Sequence, residues 1–330
     1  MKTTPGDRPP AAFPLPPELL GESPRTVSAA SMARRAAVSD EVALIIAAEG
    51  LDAERVARAI HEGGRRASQP FIVLDCGAAD AAAVTTELFG AGDRRLELEA
   101  VTPASALMRA AGGTLFLGSA GELPATAQLR LSRVLRDGEM RVGAATVPLT
   151  ARIIAAATLD IDRDVQERRF RPELHRRLQR IRIEVPPLRE RAQDLPQIIQ
   201  AVLEASCARA GVRRTLAPAA LTALCALPWP GNLDELGRMM DRLVERVSSP
   251  TIRQEDVLAE LQFAPRRPGT RLTSLREARL AFEREYIALV LQEHGWSMSA
   301  AARTLGIERA NLYRKTRQLG ITRVKRTRVS

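Results

Sequence analysis

Short runs dominated by apolar residues alternate with stretches of helical spacing along the first part of this chain. Such runs predict buried strands, and they occur at 42–47, 70–74, 114–117, 152–157 and 181–185. Between them, apolar side chains such as Val56, Ala59 and Ile60 share one helical face. The alternation of strands and helices indicates an α/β fold with a parallel sheet.

After Pro186 the pattern becomes wholly helical, with apolar positions at helical spacing along 195–205, 219–227 and 233–244. Gly and Pro residues separate these stretches. We therefore expect a small helical subdomain, followed by a linker at 264–270, where Pro and Gly cluster.

The last block has a helical pattern of its own, and one face of its first helix carries Phe282, Tyr286, Leu289 and Val290. Ser299 is positioned to cap a short helix. A turn follows at Gly306, and a second helix is predicted from about 308 to 319. A short helix, a glycine turn and a basic second helix predict a helix-turn-helix.

The second helix of this unit indicates DNA recognition. Arg309 and Asn311 lie in its first turn, where side chains reach base edges; Arg suits guanine and Asn suits adenine. Further along, Tyr313 faces outward, and the positions better placed for phosphates are Arg314, Lys315 and Arg317. The alternative is an ordinary helical hairpin with a charged face.

The charge of the chain supports a nucleic-acid partner. The 330 residues predict two or three domains, and the net charge of +10 favours a polyanion. Residues 303–330 carry seven Arg and two Lys against Glu308 alone. A solvated basic tail would explain the same charge.

Other totals exclude several classes of protein. The three Cys are widely spaced, which fits reduced thiols in the cytoplasm and gives no zinc pattern. The N-terminus lacks the apolar core of a signal peptide. The longest apolar run, 42–48, is too short to span a bilayer. The Pro-rich residues 1–17 predict an extended, weakly ordered leader.

Many stretches of the chain, in this order, resemble the sigma-54-dependent transcriptional activators, also called bacterial enhancer-binding proteins. The similarity covers about 20–321. It is carried by Leu20 to Pro24, Val56 to His61, Glu87 to Gly90, Gly112 to Leu117, Gly121 to Pro124, Phe170-Arg171, Pro186 to Arg191, Trp229 to Asn232 and Ala301 to Ile307. The resemblance implies an AAA+ ATPase core with a helical lid and a C-terminal Fis-type helix-turn-helix.

The chain departs from the family where the family handles ATP. The family's phosphate loop cradles phosphate with glycines and a Lys. Here the Lys position is Ala53, and the glycine positions are Ala47, Gly50 and Asp52. The family's Asp and Glu, which hold Mg²⁺ and orient water, are replaced by Gly118 and Ser119.

Two more nucleotide contacts of the family are missing. The Asn that senses the γ-phosphate is Leu159, and the lid Arg after Trp-Pro-Gly-Asn is Asp234. We therefore expect no ATP hydrolysis, no catalytic residue, no metal site and no resident cofactor. Weak binding of ATP and Mg²⁺ by the vestigial site remains open.

The family's surface loop for the sigma-54 factor reads GAFTGA, whereas this chain has Arg94-Arg95-Leu96-Glu97-Leu98-Glu99 in that place. This departure, like the missing ATP contacts, argues against remodelling of sigma-54 polymerase.

Glu308 stands where the family usually has Ser at the N-cap of the recognition helix. Glu caps less well than Ser and repels phosphates, so an altered sequence preference is expected.

Arg171 and Arg177 match the family's arginine fingers, which reach into the ATP site of a neighbouring subunit. This match suggests a defective subunit that inserts into rings of an active relative. Alternatively, both arginines only hold salt bridges or face solvent.

The sequence thus predicts a leader (1–17), a degenerate AAA+ α/β domain (18–190), a helical lid (191–262), a linker (263–272) and a Fis-type DNA-binding domain (273–330). The expected function is sequence-specific regulation of transcription without ATP hydrolysis, in the bacterial cytoplasm and at the nucleoid. The alternatives are a working ATP-dependent activator and an anti-activator that joins rings of a paralogue. Expected partners are double-stranded DNA, further copies of the chain, an active paralogue and RNA polymerase, but no membrane. The helix 275–294 is the candidate dimer surface, unless its stripe packs only on its own unit.

Overall fold

The computed structural model describes residues 13–77, 80–91, 100–263, 287, 290–291, 294, 296–305, 312 and 315–316. The chain divides into two compact units, Met1–Gln262 and Phe263–Ser330. None of the helices in the described ranges combines the length and apolar character needed to cross a bilayer.

The strands are β1 (Ala43–Ala47), β2 (Phe71–Asp75), β3 (Ala100–Val101), β4 (Thr114–Gly118), β5 (Glu139–Val142), β6 (Ala145–Pro148), β7 (Arg152–Ala157), β8 (Ile181–Val185), β9 (Thr215–Leu216) and β10 (Thr251–Ile252). Five of them form an all-parallel sheet in the order β2-β4-β7-β1-β8. The remaining strands form two small sheets, β3-β5-β6 and β9-β10. The predicted parallel α/β sheet is therefore confirmed.

The helices are α1 (Pro24–Val38), α2 (Ala53–Glu62), α3 (Ala81–Phe89), α4 (Ala106–Arg109), α5 (Ala125–Asp137), α6 (Ile161–Gln166), α7 (Pro172–Leu178), α8 (Leu195–Ala210), α9 (Pro218–Cys225), α10 (Asn232–Arg246), α11 (Gln254–Phe263) and α12 (Met298–Thr304). Helices cover both faces of the main sheet, so β1, β4 and β7 are buried almost throughout. Their continuous apolar sequences fit that position.

The helical lid has a core of its own, in which α8, α9 and α10 surround Leu203, Leu224, Trp229, Leu236 and Met240. Leu20 and Leu51, from outside the lid, also pack against this core. The lid is thus attached to the sheet by apolar contacts as well as by the polar ones described next.

Asp194, just before α8, ties the lid to the segment that precedes α1. Its Oδ1 accepts the backbone N–H groups of Glu22 and Ser23, both at 2.9 Å. Its Oδ2 accepts the hydroxyls of Ser23 at 2.6 Å and Thr26 at 2.8 Å. Gly21 has φ +143°, and a Cβ there would lie 2.2 Å from Asp194 Cγ. Only glycine fits this close approach.

Arg191 makes a second buried link between the lid and this segment. Its side chain is 1% exposed, and its Nη1 donates to the carbonyl of Glu18 at 2.7 Å. Burial lowers the pKa of Arg191 to about 10, although Asp194 and Glu18 partly oppose the shift.

The second unit has a separate small core in its described part. Ile287, Val290 and Leu291 pack with Ala301, Ala302 and Leu312. Val290 of the proposed dimer stripe is therefore buried within its own unit. Phe282, Tyr286, Leu289 and most of the linker 263–272 lie outside the described residues.

We expect Asp194→Asn to destabilise the protein by about 1.5–3 kcal/mol at pH 7, because hydrogen bonds to a buried carboxylate are lost. Burial raises the pKa of Asp194, but the hydrogen bonds from Ser23, Thr26 and Glu22 outweigh it and lower the pKa. The carboxylate therefore stabilises the fold above the unfolded pKa of about 3.9 and loses this effect as pH falls through the folded value.

Urea unfolding of wild type and Asp194→Asn at pH 7 and pH 3 measures this difference. The gap between the two proteins should shrink at pH 3. Glu22→Gln, which changes an exposed carboxylate in the same turn, is the control and should behave like wild type. An equal gap at both pH values would contradict the prediction.

Candidate functional site

The loop between β1 and α2 is in direct contact with the lid. Gly50 has φ +79°, and a Cβ there would lie 2.1 Å from the carbonyl oxygen of Gly231. The Gly50 carbonyl accepts the N–H of Asp234 at 3.0 Å. Only glycine fits this position, so a glycine here does not by itself require a bound phosphate.

Asp52 caps α2 with its own side chain. Its Oδ1 accepts the backbone N–H of Arg55 at 3.0 Å, and Arg55 Nη2 lies 3.4 Å from Oδ2. Ala53 is the first residue of the helix. A helix N-terminus is a favourable place for an anion, and here a carboxylate of the chain occupies part of it.

Arg55 also reaches a buried carboxylate beneath the loop. Its Nη1 lies 3.2 Å from Glu18 Oε1, and Glu18 is wholly buried. Burial raises the pKa of Glu18, while the charge of Arg55 opposes the rise. The guanidinium of Arg55 is thus shared between Asp52 and Glu18.

Asn232, at the start of α10, clamps the lid onto the loop. Its side chain is 2% exposed. Its Nδ2 donates to the carbonyl of Glu49 at 2.6 Å, and its Oδ1 accepts the N–H of Leu188 at 3.0 Å. Leu51 packs against both the lid core and the core under the sheet. The loop therefore contacts the lid through backbone, amide and apolar atoms.

Asp234 lies on the exposed side of α10. Its Oδ2 accepts from Arg238 Nη2 at 3.0 Å, one turn along the helix. Both side chains are about two-thirds exposed, 66% for Asp234 and 65% for Arg238. Such an exposed ion pair contributes little to stability. The family is expected to have an Arg at this position, whereas this chain has the carboxylate of Asp234.

Gly118 ends β4 and pairs with Asp75 at the end of β2. Ser119 follows in the left-handed conformation, with φ +51°. Sequence inspection missed Asp75, whose carboxylate Oδ1 lies 3.7 Å from where a Cβ on Gly118 would be. Its position directly after the apolar run at 70–74 was the available signal, although the structure shows this edge strand to be buried only at Leu74. That Oδ1 already accepts the N–H of Gly77 at 3.0 Å.

Leu159 follows β7 and is 51% exposed. It lines a cleft of about 390 Å³ that α1 and β8 also border. A leucine side chain has no polar atom, so this position offers no hydrogen bond to a phosphate. In the described part of the chain, no group of three or more His, Cys, Asp or Glu is arranged to hold a metal ion.

The two finger-like arginines differ in their surroundings. Arg171 precedes α7, its N–H donates to Gln128 Oε1 at 2.8 Å, and its side chain is exposed. Among the described residues, its guanidinium has no hydrogen bond or ion pair. The Arg177 side chain is half-buried, and its Nη2 lies 3.4 Å from Glu173 Oε1 within the same helix. Arg177 fits the salt-bridge alternative, whereas Arg171 is available to a partner.

The structure describes the predicted DNA-binding residues only in part. Helix α12 begins at Met298, so Ser299 lies in its first turn and Ser297 precedes the helix. The prediction that Ser299 caps this helix is therefore wrong, because Ser299 lies within the helix and Ser297 is the residue that precedes it. Lys315 lies in a helical segment next to the buried Leu312. The residues outside the described ones are Arg309, Asn311, Tyr313, Arg314 and Arg317.

The two units differ sharply in charge. Residues 263–330 carry 15 Lys and Arg against 5 Asp and Glu. They therefore account for the whole net charge of +10, and residues 1–262 have as many acidic as basic side chains. The electrostatic attraction for a polyanion lies in the second unit.

Three family models match the chain in succession. The Sigma-54 interaction domain matches residues 19–184, the AAA+ ATPase lid domain matches 189–273, and the Bacterial regulatory protein, Fis family, matches 279–319. Together they support the predicted fold, an AAA+-type sheet with a lid and a Fis-type helix-turn-helix.

Individual relatives agree with this order of parts. The DNA-binding transcriptional regulator NtrC of Salmonella typhimurium is 34% identical over 336 residues, covering 92% of this chain and 70% of NtrC. The anaerobic nitric oxide reductase transcription regulator NorR of Citrobacter koseri is 33% identical, covering 92% and 63%. The crystal structure of NtrX from Brucella abortus in complex with ATP has a TM-score of 0.63 at 30% identity, covering 92% and 69%.

We expect Asn232→Ala to destabilise the protein by about 2–4 kcal/mol, because the buried Glu49 carbonyl and Leu188 N–H lose their partners. Asn232 also has φ +51°, which alanine tolerates less well than asparagine. Urea unfolding measures the change. Asp234→Asn, an exposed substitution on the same helix, should stay within about 0.5 kcal/mol of wild type. An Asn232→Ala protein as stable as this control would show that the clamp contributes nothing.

Proposed function

The chain belongs to the sigma-54-dependent DNA-binding transcriptional regulators, and from this premise we propose that it regulates transcription by binding DNA without hydrolysing ATP. The observation that carries the proposal is the carboxylate of Asp52, which accepts the Arg55 N–H at the N-terminus of α2. In a phosphate-binding loop this helix end faces a phosphate group.

The residues present do not fit a nucleoside triphosphate. A phosphate next to Asp52 would meet a like charge, a repulsion that solvent and the neighbouring Arg55 screen only in part. The missing Lys removes a further charge-assisted contact of about 1.5–3 kcal/mol. Asp234 adds a second carboxylate where the lid of relatives is expected to supply a cation.

The chemistry for hydrolysis is also incomplete. Gly118 and Ser119 offer neither a carboxylate for Mg²⁺ nor one to orient water. Asp75 is the nearest carboxylate to this strand end, and the Gly77 N–H already binds its Oδ1. A working ATPase is the second candidate function, and Asp75 is the observation that favours it.

DNA binding rests on the second unit. Its positive charge provides sequence-independent affinity, and the predicted recognition helix provides base contacts through Arg309 and Asn311. Fis-type units are expected to act as dimers on a pseudo-palindromic site. The third candidate is an anti-activator that joins an active relative, which the exposed, unpaired side chain of Arg171 favours.

We expect no saturable binding of Mg²⁺-ATP up to millimolar concentration, as measured by isothermal titration calorimetry on the full chain. The matched comparison carries Ala47→Gly, Asp52→Gly, Ala53→Lys, Gly118→Asp, Ser119→Glu, Leu159→Asn and Asp234→Arg. This variant should bind ATP at least about 100-fold more tightly, since Asp52→Gly removes a repulsion, Ala53→Lys adds an attraction and Asp234→Arg turns a repulsion into an attraction. Micromolar binding or Mg²⁺-dependent phosphate release by wild type would contradict the proposal and implicate Asp75, which Asp75→Asn would then test.

Arg309→Ala should weaken binding to the cognate duplex by about 1–3 kcal/mol and relax the sequence preference of the protein, as expected for a base contact.

Lys315→Ala should weaken binding to all sequences and reduce the salt dependence of binding by about one charge. Genome-wide occupancy first identifies the duplex, and fluorescence anisotropy at several salt concentrations measures both variants.

The same variants separate the regulator from the anti-activator when promoter activity is measured in cells. If the chain acts on DNA, Arg309→Ala abolishes regulation and Arg171→Ala preserves it. If it acts by joining an active ring, Arg171→Ala abolishes regulation and Arg309→Ala preserves it. Arg176→Ala, which removes an exposed arginine within α7, controls for loss of charge.

A further inference from the structure

The loop between α6 and α7 presents two unpaired cations at the surface. Arg168 and Arg171 are both exposed. Within the ranges that the structure describes, neither guanidinium makes a hydrogen bond or an ion pair. Arg169, which lies between them, pairs with Asp164 and Glu167. We call Arg168 and Arg171 the loop arginines, and both are free to bind an anion outside the molecule.

The backbone holds the loop arginines in a fixed and strained position. Arg168 has a left-handed conformation with φ +58°, which favours glycine and costs arginine conformational energy. The buried side chain of Gln128 fixes the next turn: its Oε1 accepts the N–H of Arg171 at 2.8 Å, and its Nε2 donates to the Arg169 carbonyl at 3.4 Å. Phe170 is wholly buried. Such strain is typical of segments whose side chains have a function.

Three exposed carboxylates lie together at the junction of the β1–α2 loop and the lid. Glu49, Asp52 and Asp234 are each within two residues of the hydrogen bond from the Asp234 N–H to the Gly50 carbonyl. In the described part of the chain, the Glu49 carboxylate forms no ion pair. Asp52 and Asp234 each contact one arginine of the adjoining helix, but a carboxylate can accept from a second guanidinium. We call these three side chains the carboxylate cluster.

The helices next to these two surfaces pack on opposite faces of the main sheet. Helix α7, which follows the loop arginines, packs on the face that includes Leu44. Helix α2, which follows Asp52, packs on the face that includes Ile45, and neighbouring residues of a strand point to opposite faces. A contact between the loop arginines and the carboxylate cluster therefore needs two copies of the chain. Because residues 1–262 carry no net charge, two first units can approach without overall repulsion.

We propose that the first unit self-associates without nucleotide, the loop arginines of one copy binding the carboxylate cluster of the next. The charges are complementary, and complementary charge fixes which surfaces meet. The contact rests on the proposed function, since a nucleotide at the start of α2 would cover Asp52. It joins two different surfaces, so each copy keeps one surface free for a further copy, and the assembly either closes or continues.

Sedimentation velocity of the full chain without nucleotide tests the proposal. We expect assemblies larger than a dimer, which Fis-type pairing alone would give, at about 50 mM NaCl. They should dissociate at about 500 mM NaCl, because salt screens contacts between exposed charges. A distribution that stops at the dimer at both salt concentrations would overturn the proposal.

A charge swap identifies the two surfaces. Arg168→Glu with Arg171→Glu, and separately Glu49→Lys with Asp234→Lys, should each weaken assembly at least about tenfold, because like charges then meet. An equimolar mixture of the two variants should restore assembly, since each supplies the charge that the other lacks. Arg180→Glu reverses an exposed arginine beyond the other end of α7 and should assemble like wild type. A mixture that stays unassembled would overturn the assignment of the surfaces.

Arg168→Gly separates this role from a structural one. Glycine suits the left-handed backbone, so this variant should have a higher Tm than wild type while its assembly weakens. Unchanged assembly in this variant would show that Arg168 takes no part.

Nucleotide distinguishes failure of this proposal from failure of the proposed function. Assembly that appears only after addition of Mg²⁺-ATP would contradict both. No assembly, together with no ATP binding in calorimetry, would contradict self-association alone.

Discussion

Two buried polar side chains, Asp194 and Asn232, hold the lid against the sheet, and the arrangement of the first unit depends on them. Each satisfies backbone groups that come from distant parts of the chain: Asp194 binds the turn before α1, and Asn232 binds the loop after β1. Buried polar groups are tolerated only when their hydrogen bonds are complete. These contacts join the lid to the turn before α1 and to the loop that contains Gly50.

Within the nucleotide site, the changes from the family pattern fall on positions that would touch a ligand. Ala53, Gly118 and Leu159 lack the polar atoms that nucleotide chemistry requires, yet each sits on a regular element of the fold. The residues that hold the elements together, such as Gly21 and Asn232, fit their backbone conformations closely. Substitutions at such positions cost the fold little, because a phosphate loop stores strain and charge for its ligand rather than for stability.

Much of this architecture can be predicted from the sequence wherever one physical signal is strong. The strands β7 and β8 match their predicted bounds. The unbroken apolar run of β7 is typical of an inner strand of a parallel sheet, and the alternating run of β8 is typical of a strand that is buried on one face. Helix α1 was missed because alanines form its buried face, and alanine is a weak hydrophobic signal. The clamp was also missed: Asn232 and Glu49 are 183 residues apart, and local patterning carries no information on such a pair.

The two units also differ in how much their charge can contribute to DNA binding. A unit with equal numbers of acidic and basic residues adds little to the counterion release that drives DNA binding. Residues 263–330, with their excess of ten positive charges, must supply nearly all of it. The carboxylates at Asp52 and Asp234 act in the same direction, since they disfavour phosphates at the edge where relatives of the family attract them.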